Sequence, residues 1–183
     1  MNNIDWKSLP FGYFKTDCNV RCYYRNGKWG ELEYTDSEEI TMHMAATCLH
    51  YGQEAFEGMK AFRGVDGKIR LFRPYENAKR LIRSAEGVMM APVPEEMFVK
   101  ACVEVVKRNE RFVPPAGSGA SLYLRPLLIG TGAQVGVKPA NEYLFVVFAG
   151  PVGPYFKEGF KPVQIQIVED ADRAAPLGTG TLK

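Results

Sequence analysis

Residues Leu49–Arg80 read LHYGQEAFEGMKAFRGVDGKIRLFRPYENAKR, and the order of elements in this segment constrains how the flanking chain packs. From Glu57 onward, Met59 and Ala61 alternate with Lys60 and Phe62, the period of a strand lying over something. Val65-Asp66-Gly67-Lys68 is a turn, because Gly67 supplies the positive φ that such a turn needs. Ile69-Arg70-Leu71-Phe72 is the returning strand. Pro74 then opens a helix, at a position where its missing N–H leaves no bond unmade. That helix is expected from about Pro74 to Gly87. Ala78, Leu81, Ile82 and Ala85 form its buried stripe at i, i+3, i+4, i+7, and Arg80 lies on it.

Toward the C-terminus, Met89-Met90-Ala91-Pro92 ends the first helix, and a second spans about Pro94 to Arg111. Phe98, Ala101, Cys102, Val105 and Val106 make its apolar face. Pro114-Pro115-Ala116-Gly117-Ser118-Gly119 is a break. Ala120–Ile129 is apolar almost throughout, as a strand covered on both faces should be. Glu142–Phe148 is another strand, Gly150–Gly159 a domain-joining segment rich in glycine and proline, Pro162–Val168 a further strand, and Ala174–Gly180 a loop. Toward the N-terminus, Met42–Cys48 is short, apolar and compatible with a single helical turn. Val20–Tyr24 and Lys28–Tyr34 flank Asn26-Gly27, a type I′ hairpin signal. Residues 1–17, with Trp6, Phe11, Tyr13 and Phe14, read as an arm packed on the surface. Strands outnumber helices and pair as hairpins. The expected fold class is therefore α/β of the α+β kind, a mostly antiparallel sheet with two helices packed on it.

The 183 residues suffice for one good core, or for one domain and part of another. The apolar share of 46% is ordinary. A net charge of +2 argues against nucleic acid as the main partner. No apolar run approaches a membrane span, and MNNIDWKSLP lacks a signal pattern, so a cytoplasmic protein is expected. Cys18, Cys22, Cys48 and Cys102 read as reduced thiols. Neither they nor His43 and His50 stand at metal-ligand spacing. In Gly130-Thr131-Gly132-Ala133-Gln134-Val135, Val135 stands where a dinucleotide fingerprint needs its third glycine. Gly178–Lys183 lacks the spacing of a phosphate-binding P-loop.

The Leu49–Arg80 run resembles the signature of the branched-chain amino acid aminotransferases, fold-type IV enzymes that use pyridoxal 5′-phosphate (PLP). Ser121-Leu122-Tyr123-Leu124-Arg125-Pro126, Pro151-Val152-Gly153-Pro154-Tyr155-Phe156, and Asp172-Arg173-Ala174-Ala175-Pro176 running to Lys183 agree with it in order and spacing. The resemblance covers nearly the whole chain, but the chain covers only the first part of the family. It implies a small N-terminal α/β domain over residues 1–150, a linker over 151–159, and over 160–183 the truncated beginning of the large PLP-binding domain.

By the same resemblance, Lys183 matches the catalytic lysine that carries the cofactor, and Arg80 the arginine that binds its phosphate. A guanidinium fork suits a pair of phosphate oxygens. Without the resemblance, Lys183 is an exposed charge and Arg80 a solvated helix arginine. Tyr51, Phe56, Tyr123, Arg125, Val137 and Tyr155 match substrate-binding positions. Phe56, Tyr155 and Val137 would supply an apolar wall. Arg125, with the hydroxyls of Tyr51 and Tyr123, would supply a polar end for a second carboxylate. In the family Tyr51 and Val137 reach over from the other subunit of a homodimer. Tyr123 and Arg125, at i and i+2, share one face of a strand, which also suits cross-strand packing.

The implied reaction exchanges the amino group of leucine, isoleucine or valine with 2-oxoglutarate. A D-amino acid aminotransferase or an aminodeoxychorismate lyase is the alternative within fold type IV. Glu57–Gly64 and Tyr123-Leu124-Arg125-Pro126 favour the branched-chain type. A third reading is a non-catalytic fragment, left by limited proteolysis at Lys183, that folds and associates without catalysis.

Overall fold

The computed structural model describes residues 4–156, 159 and 161–183. In chain order these contain β1 (Asn19–Arg25), β2 (Lys28–Trp29), β3 (Glu33–Thr35), α1 (Thr47–Tyr51), β4 (Glu54–Phe56), β5 (Met59–Arg63) and β6 (Ile69–Leu71). After them come α2 (Pro74–Gly87), α3 (Glu95–Arg108), a 3-10 turn at Glu110–Phe112, β7 (Ser121–Gly130) and β8 (Tyr143–Val152). The strands form one antiparallel sheet in the order β2-β1-β8-β7-β5-β6, with β3 on β1 and β4 on β7. This is the mostly antiparallel α/β architecture that the hairpins imply.

The first hairpin turns at Asn26 and Gly27, with φ 53° and 78°, the two left-handed residues that a type I′ turn requires. Its return strand is not continuous. Tyr24 pairs with Trp29, but Arg21 pairs with Glu33, so the return carries one more residue than β1 over that span. The extra residue is a bulge that separates β2 from β3.

The helices pack on one face of the sheet. Leu122, Leu124 and Leu128 of β7 are fully buried there with Leu81 of α2 and Phe98, Ala101, Cys102 and Val105 of α3. Phe98 stacks on Phe145 of β8 with ring centroids 6.0 Å apart. On the opposite face Ile129, Leu144 and Val146 are covered by Ile40, Met42 and Cys48. Both long strands are thus enclosed from two sides, which explains their near-continuous apolar runs. Asn109, at the end of α3, anchors the start of β1. Its Oδ1 accepts the N–H groups of Asp17 and Cys18, and its Nδ2 donates to the carbonyls of Cys18 and Val105.

Several boundaries differ from expectation. In α2, Ser84 is buried and Ile82 only half-buried, because the stripe turns toward the segment that carries Lys183. The second helix ends at Arg108, and Glu110–Phe112 tightens into the 3-10 turn. The helical turn expected over Met42–Cys48 lies at Thr47–Tyr51, ended by Gly52 at φ 60°. Strand β8 runs on to Val152, pairing with Ser121, so the first residues of the expected linker belong to the sheet. Pro162–Val168 forms no strand. Val163, Ile165 and Ile167 alternate as a strand would but lie exposed, with no ladder to join. Positions 157 and 158 of the expected linker, and position 160, lie outside the described residues.

Phe98→Ala should destabilise the fold by about 3–5 kcal/mol, the usual cost of emptying a buried aromatic site. Urea unfolding measures this. A loss under about 1 kcal/mol would mean that α3 is not the main cover of the sheet.

Candidate active site

Strands β4 and β5 lie along β7 in a single register, Phe56 opposite Leu127 and Met59 opposite Leu124. Between them Glu57 faces Pro126, and the Glu57 N–H donates to the Pro126 carbonyl at 2.8 Å. The reciprocal bond cannot form, since proline has no N–H, and the ladder lapses at Glu57-Gly58. Phe56, one residue earlier, turns its N–H to the opposite edge, where the carbonyl of Lys183 accepts it at 3.1 Å. The Lys183 N–H donates to Ser84 Oγ on α2 at 3.0 Å. Leu182 packs against Gly87 so closely that a Cβ there would stand 2.6 Å from its methyl carbons. Backbone bonds and this contact seat Lys183 at the sheet edge.

Period two puts Glu57 on the same face as Ala55, Met59 and Ala61, all buried, and Glu57 itself is 0% exposed. A carboxylate in that position requires partners. Arg80 supplies a bidentate pair, Nε to Oε1 at 2.6 Å and Nη2 to Oε2 at 2.6 Å. Asn77 Nδ2 donates to Oε2 at 2.8 Å, and Lys183 Nζ stands 3.8 Å from Oε2. Burial pushes the Glu57 carboxyl upward. The hydrogen bonds from Arg80 and Asn77 and the charges of Lys183 and Arg80 outweigh it, and hold the group below the usual carboxylate range. The hydrogen bond to Glu57 likewise raises Arg80, against an opposing effect of burial.

The other face of the same strands carries Phe56, Tyr123 and Arg125. The Arg125 guanidinium lies 4.4 Å from the centre of the Phe56 ring, and its Nε donates to Tyr123 Oη at 3.1 Å. Lys183 Nζ is 5.5 Å from the same Phe56 ring, so the lysine reaches both faces from the edge. Gly58 admits this arrangement, because a Cβ there would lie 2.5 Å from Tyr123 Oη. Phe11 of the N-terminal arm meets Tyr123 at 5.1 Å and Tyr155 at 6.3 Å between ring centroids. A cavity of about 270 Å³ opens between the arm, from Phe11 to Phe14, and Tyr123, Arg125 and Phe148.

Of the eight residues singled out in the sequence, Lys183, Arg80, Phe56, Tyr123, Arg125 and Tyr155 thus form one connected group. Tyr51 and Val137 do not join it. The Tyr51 hydroxyl donates to the Val135 carbonyl, and Val137 is 90% exposed on the same loop. Glu57, Asn77 and Phe11 were not anticipated as site residues. The signal for Glu57 was present, since its spacing from Met59 and Ala61 puts a carboxylate on the apolar face of the strand. Among the described residues no cluster of His, Cys, Asp and Glu could hold a metal, and the four cysteines are free thiols.

A branched-chain-amino-acid aminotransferase of Haemophilus influenzae is 51% identical over 183 residues, which is all of this chain and 53% of that protein. Over its whole length the chain belongs to the branched-chain amino acid aminotransferase family. It spans about half the length of the curated relatives it matches. The Escherichia coli branched-chain amino acid aminotransferase structure superposes with a TM-score of 0.56 at 25% identity, over 77% of this chain and 41% of that one. Another branched-chain amino acid aminotransferase structure, complexed with N-(5′-phosphopyridoxyl)-L-glutamate, gives a TM-score of 0.55 at 28% identity, over 74% and 41%. The fold is accordingly that of fold-type IV branched-chain aminotransferases. No family model matches the chain.

Because the carboxyl of Glu57 is lowered in the fold, its contribution to stability is present above the unfolded carboxylate range and is lost as pH falls through the folded value. Urea midpoints followed from pH 6 down to pH 3 should fall less steeply in Glu57→Gln than in the unsubstituted chain. Identical slopes would mean that Glu57 has no lowered value in the fold.

Proposed function

We propose that this chain forms part of a PLP-dependent transaminase that exchanges the amino group of leucine, isoleucine or valine with 2-oxoglutarate. The observation that carries the reading is the meeting of a primary amine and a guanidinium on one buried carboxylate, Lys183 and Arg80 on Glu57. Relatives named branched-chain-amino-acid aminotransferase support it. The donor set fits PLP. An aldehyde requires a primary amine, and a phosphate is matched by a guanidinium on a side chain that is partly exposed. When bound, PLP supplies the electron sink that makes the α-hydrogen of an amino acid removable.

In this reading Arg80 holds the cofactor phosphate. Lys183 would hold the cofactor, and its amine would hold the proton exchanged at the substrate α-carbon. Its backbone bonds to Phe56 and Ser84 fix where the amine starts. Phe56 and Tyr155 form the apolar wall, and Arg125 with Tyr123 the polar end that receives the second carboxylate of glutamate. Arg125 is held for this by the Phe56 ring beneath it and the Tyr123 hydroxyl beside it. Tyr51 and Val137 complete the pocket of a second subunit in a homodimer. Their exposure, and that of Met44, Leu49 and Val135 near them, supports this assignment. The small domain reaches to Val152, where β8 ends, and the linker follows it. Residues 160–183 begin the large domain, consistent with the uncovered alternation of Val163, Ile165 and Ile167. We place the protein in the cytoplasm, without nucleic-acid or membrane partners. No helix among the described residues is long and apolar enough to cross a membrane.

In a protein of the relatives' full length, Lys183→Ala should abolish the visible absorption of the lysine-bound cofactor. A persistent band would assign another lysine. Arg125→Ala should lower kcat/KM for glutamate more than for leucine, because only glutamate leaves a carboxylate without its cation. Equal losses would make Arg125 structural.

A further inference from the structure

We infer that Glu57 is a positioning residue for phosphate recognition. It fixes the Arg80 guanidinium by one edge so that the other edge is presented to an oxyanion, and it ties the Lys183 amine to the same carboxylate. This inference rests on the reading of Arg80 as a phosphate ligand.

The geometry separates the two edges. Arginine has five N–H donors in a rigid fork. In Arg80 the Nε–H and one Nη2–H are taken by Glu57. Among the described residues Arg80 Nη1 donates no hydrogen bond. Glu57 is fully enclosed, whereas the Arg80 side chain is 42% exposed. The guanidinium is thus gripped from the protein side and open on the solvent side. An arginine on an exposed helix face otherwise samples many rotamers, and ordering it on binding costs affinity. A second grip comes from Asn77, one turn before Arg80 on α2, which fixes Oε2 of Glu57 at 2.8 Å.

The positioning role can be told from a purely electrostatic one because the two predict opposite effects. A carboxylate beside a phosphate site repels the phosphate. If charge alone mattered, Glu57→Gln would strengthen phosphate binding. If position matters, Glu57→Gln weakens it. The glutamine amide offers one acceptor, and its NH₂ faces an Arg80 N–H, a donor against a donor, so the fork is released. Glu57→Asp keeps the charge and both acceptors and should retain more of the function than Gln, though its shorter reach loosens the grip.

The test compares PLP with pyridoxal, which lacks the phosphate, by titrating the full-length apoprotein and following the change in absorption. The phosphate preference is the ratio of the two affinities. Arg80→Ala should lower that ratio by about 10- to 100-fold, the worth of a hydrogen bond to a charged group. Glu57→Gln should lower this ratio by roughly tenfold, PLP affinity falling further than pyridoxal affinity, and adding it to Arg80→Ala should lower the ratio no further. Asn77→Ala should act in the same direction by about two- to threefold, and it serves as the measurement should Glu57→Gln fail to fold. A preference kept or increased in Glu57→Gln, with Arg80→Ala still impaired, would overturn the inference and leave the phosphate reading standing. Equal loss of PLP and pyridoxal affinity in Glu57→Gln would also overturn it, by making the residue structural. No phosphate preference in the unsubstituted protein, or none lost in Arg80→Ala, would overturn the phosphate reading and the inference together.

Discussion

A carboxylate on the buried face of a sheet must find positive partners, and at Glu57 that requirement organises the surrounding structure. The strand carrying it is interrupted because Pro126, directly opposite, cannot return a hydrogen bond. Helix α2 supplies Asn77 and Arg80 from adjacent turns, so helix and sheet are joined through one side chain. The backbone of Lys183 bonds to the neighbouring Phe56 and to Ser84 of α2, which brings a second cation to the same oxygen. An apolar pair of similar volume would hold α2 to the sheet as well as this ion pair does. What the ion pair positions accounts for it better than what it stabilises.

The lapse in the ladder also gives the site its two faces. Side chains alternate along β4 and β7, so Glu57 faces the helices while Phe56, Tyr123 and Arg125 face away from them. A lysine at the strand edge lies beside both sets, 3.8 Å from the carboxylate and 5.5 Å from the Phe56 ring. In the proposed enzyme the first set serves the cofactor phosphate and the second the substrate side chain. One residue, Lys183, stands between them without any loop having to cross the sheet.

Much of this was legible in the residues themselves. Asn26-Gly27 and Gly67 fixed the hairpins, since few residues tolerate positive φ. Pro74 and the spacing of Ala78, Leu81 and Ala85 located α2 at its observed bounds. The unbroken apolar runs of β7 and β8 signalled cover on both faces. Pro162–Val168 misled, because alternation shows only that one face seeks cover, and a ladder also needs a partner. Strand β8 was underestimated at Gly150-Pro151, where composition suggests a linker but the register with Ser121 and Leu122 continues. The site was less legible than the fold. Lys183 and Arg80 look like ordinary surface charges when taken alone, and only family resemblance singled them out. The interaction between them depends on Glu57, whose alternation with Met59 and Ala61 could be read but whose partners come from a different element.

The most direct test of this account is chemical trapping of the cofactor lysine. The full-length protein, loaded with PLP, is reduced with borohydride, digested and mapped by mass spectrometry. The account predicts a phosphopyridoxyl label on the peptide containing Lys183, lost when Arg80 and Glu57 are both replaced by alanine at limiting PLP. A label on any other lysine, or none, would contradict the assignment of this cluster as the cofactor site.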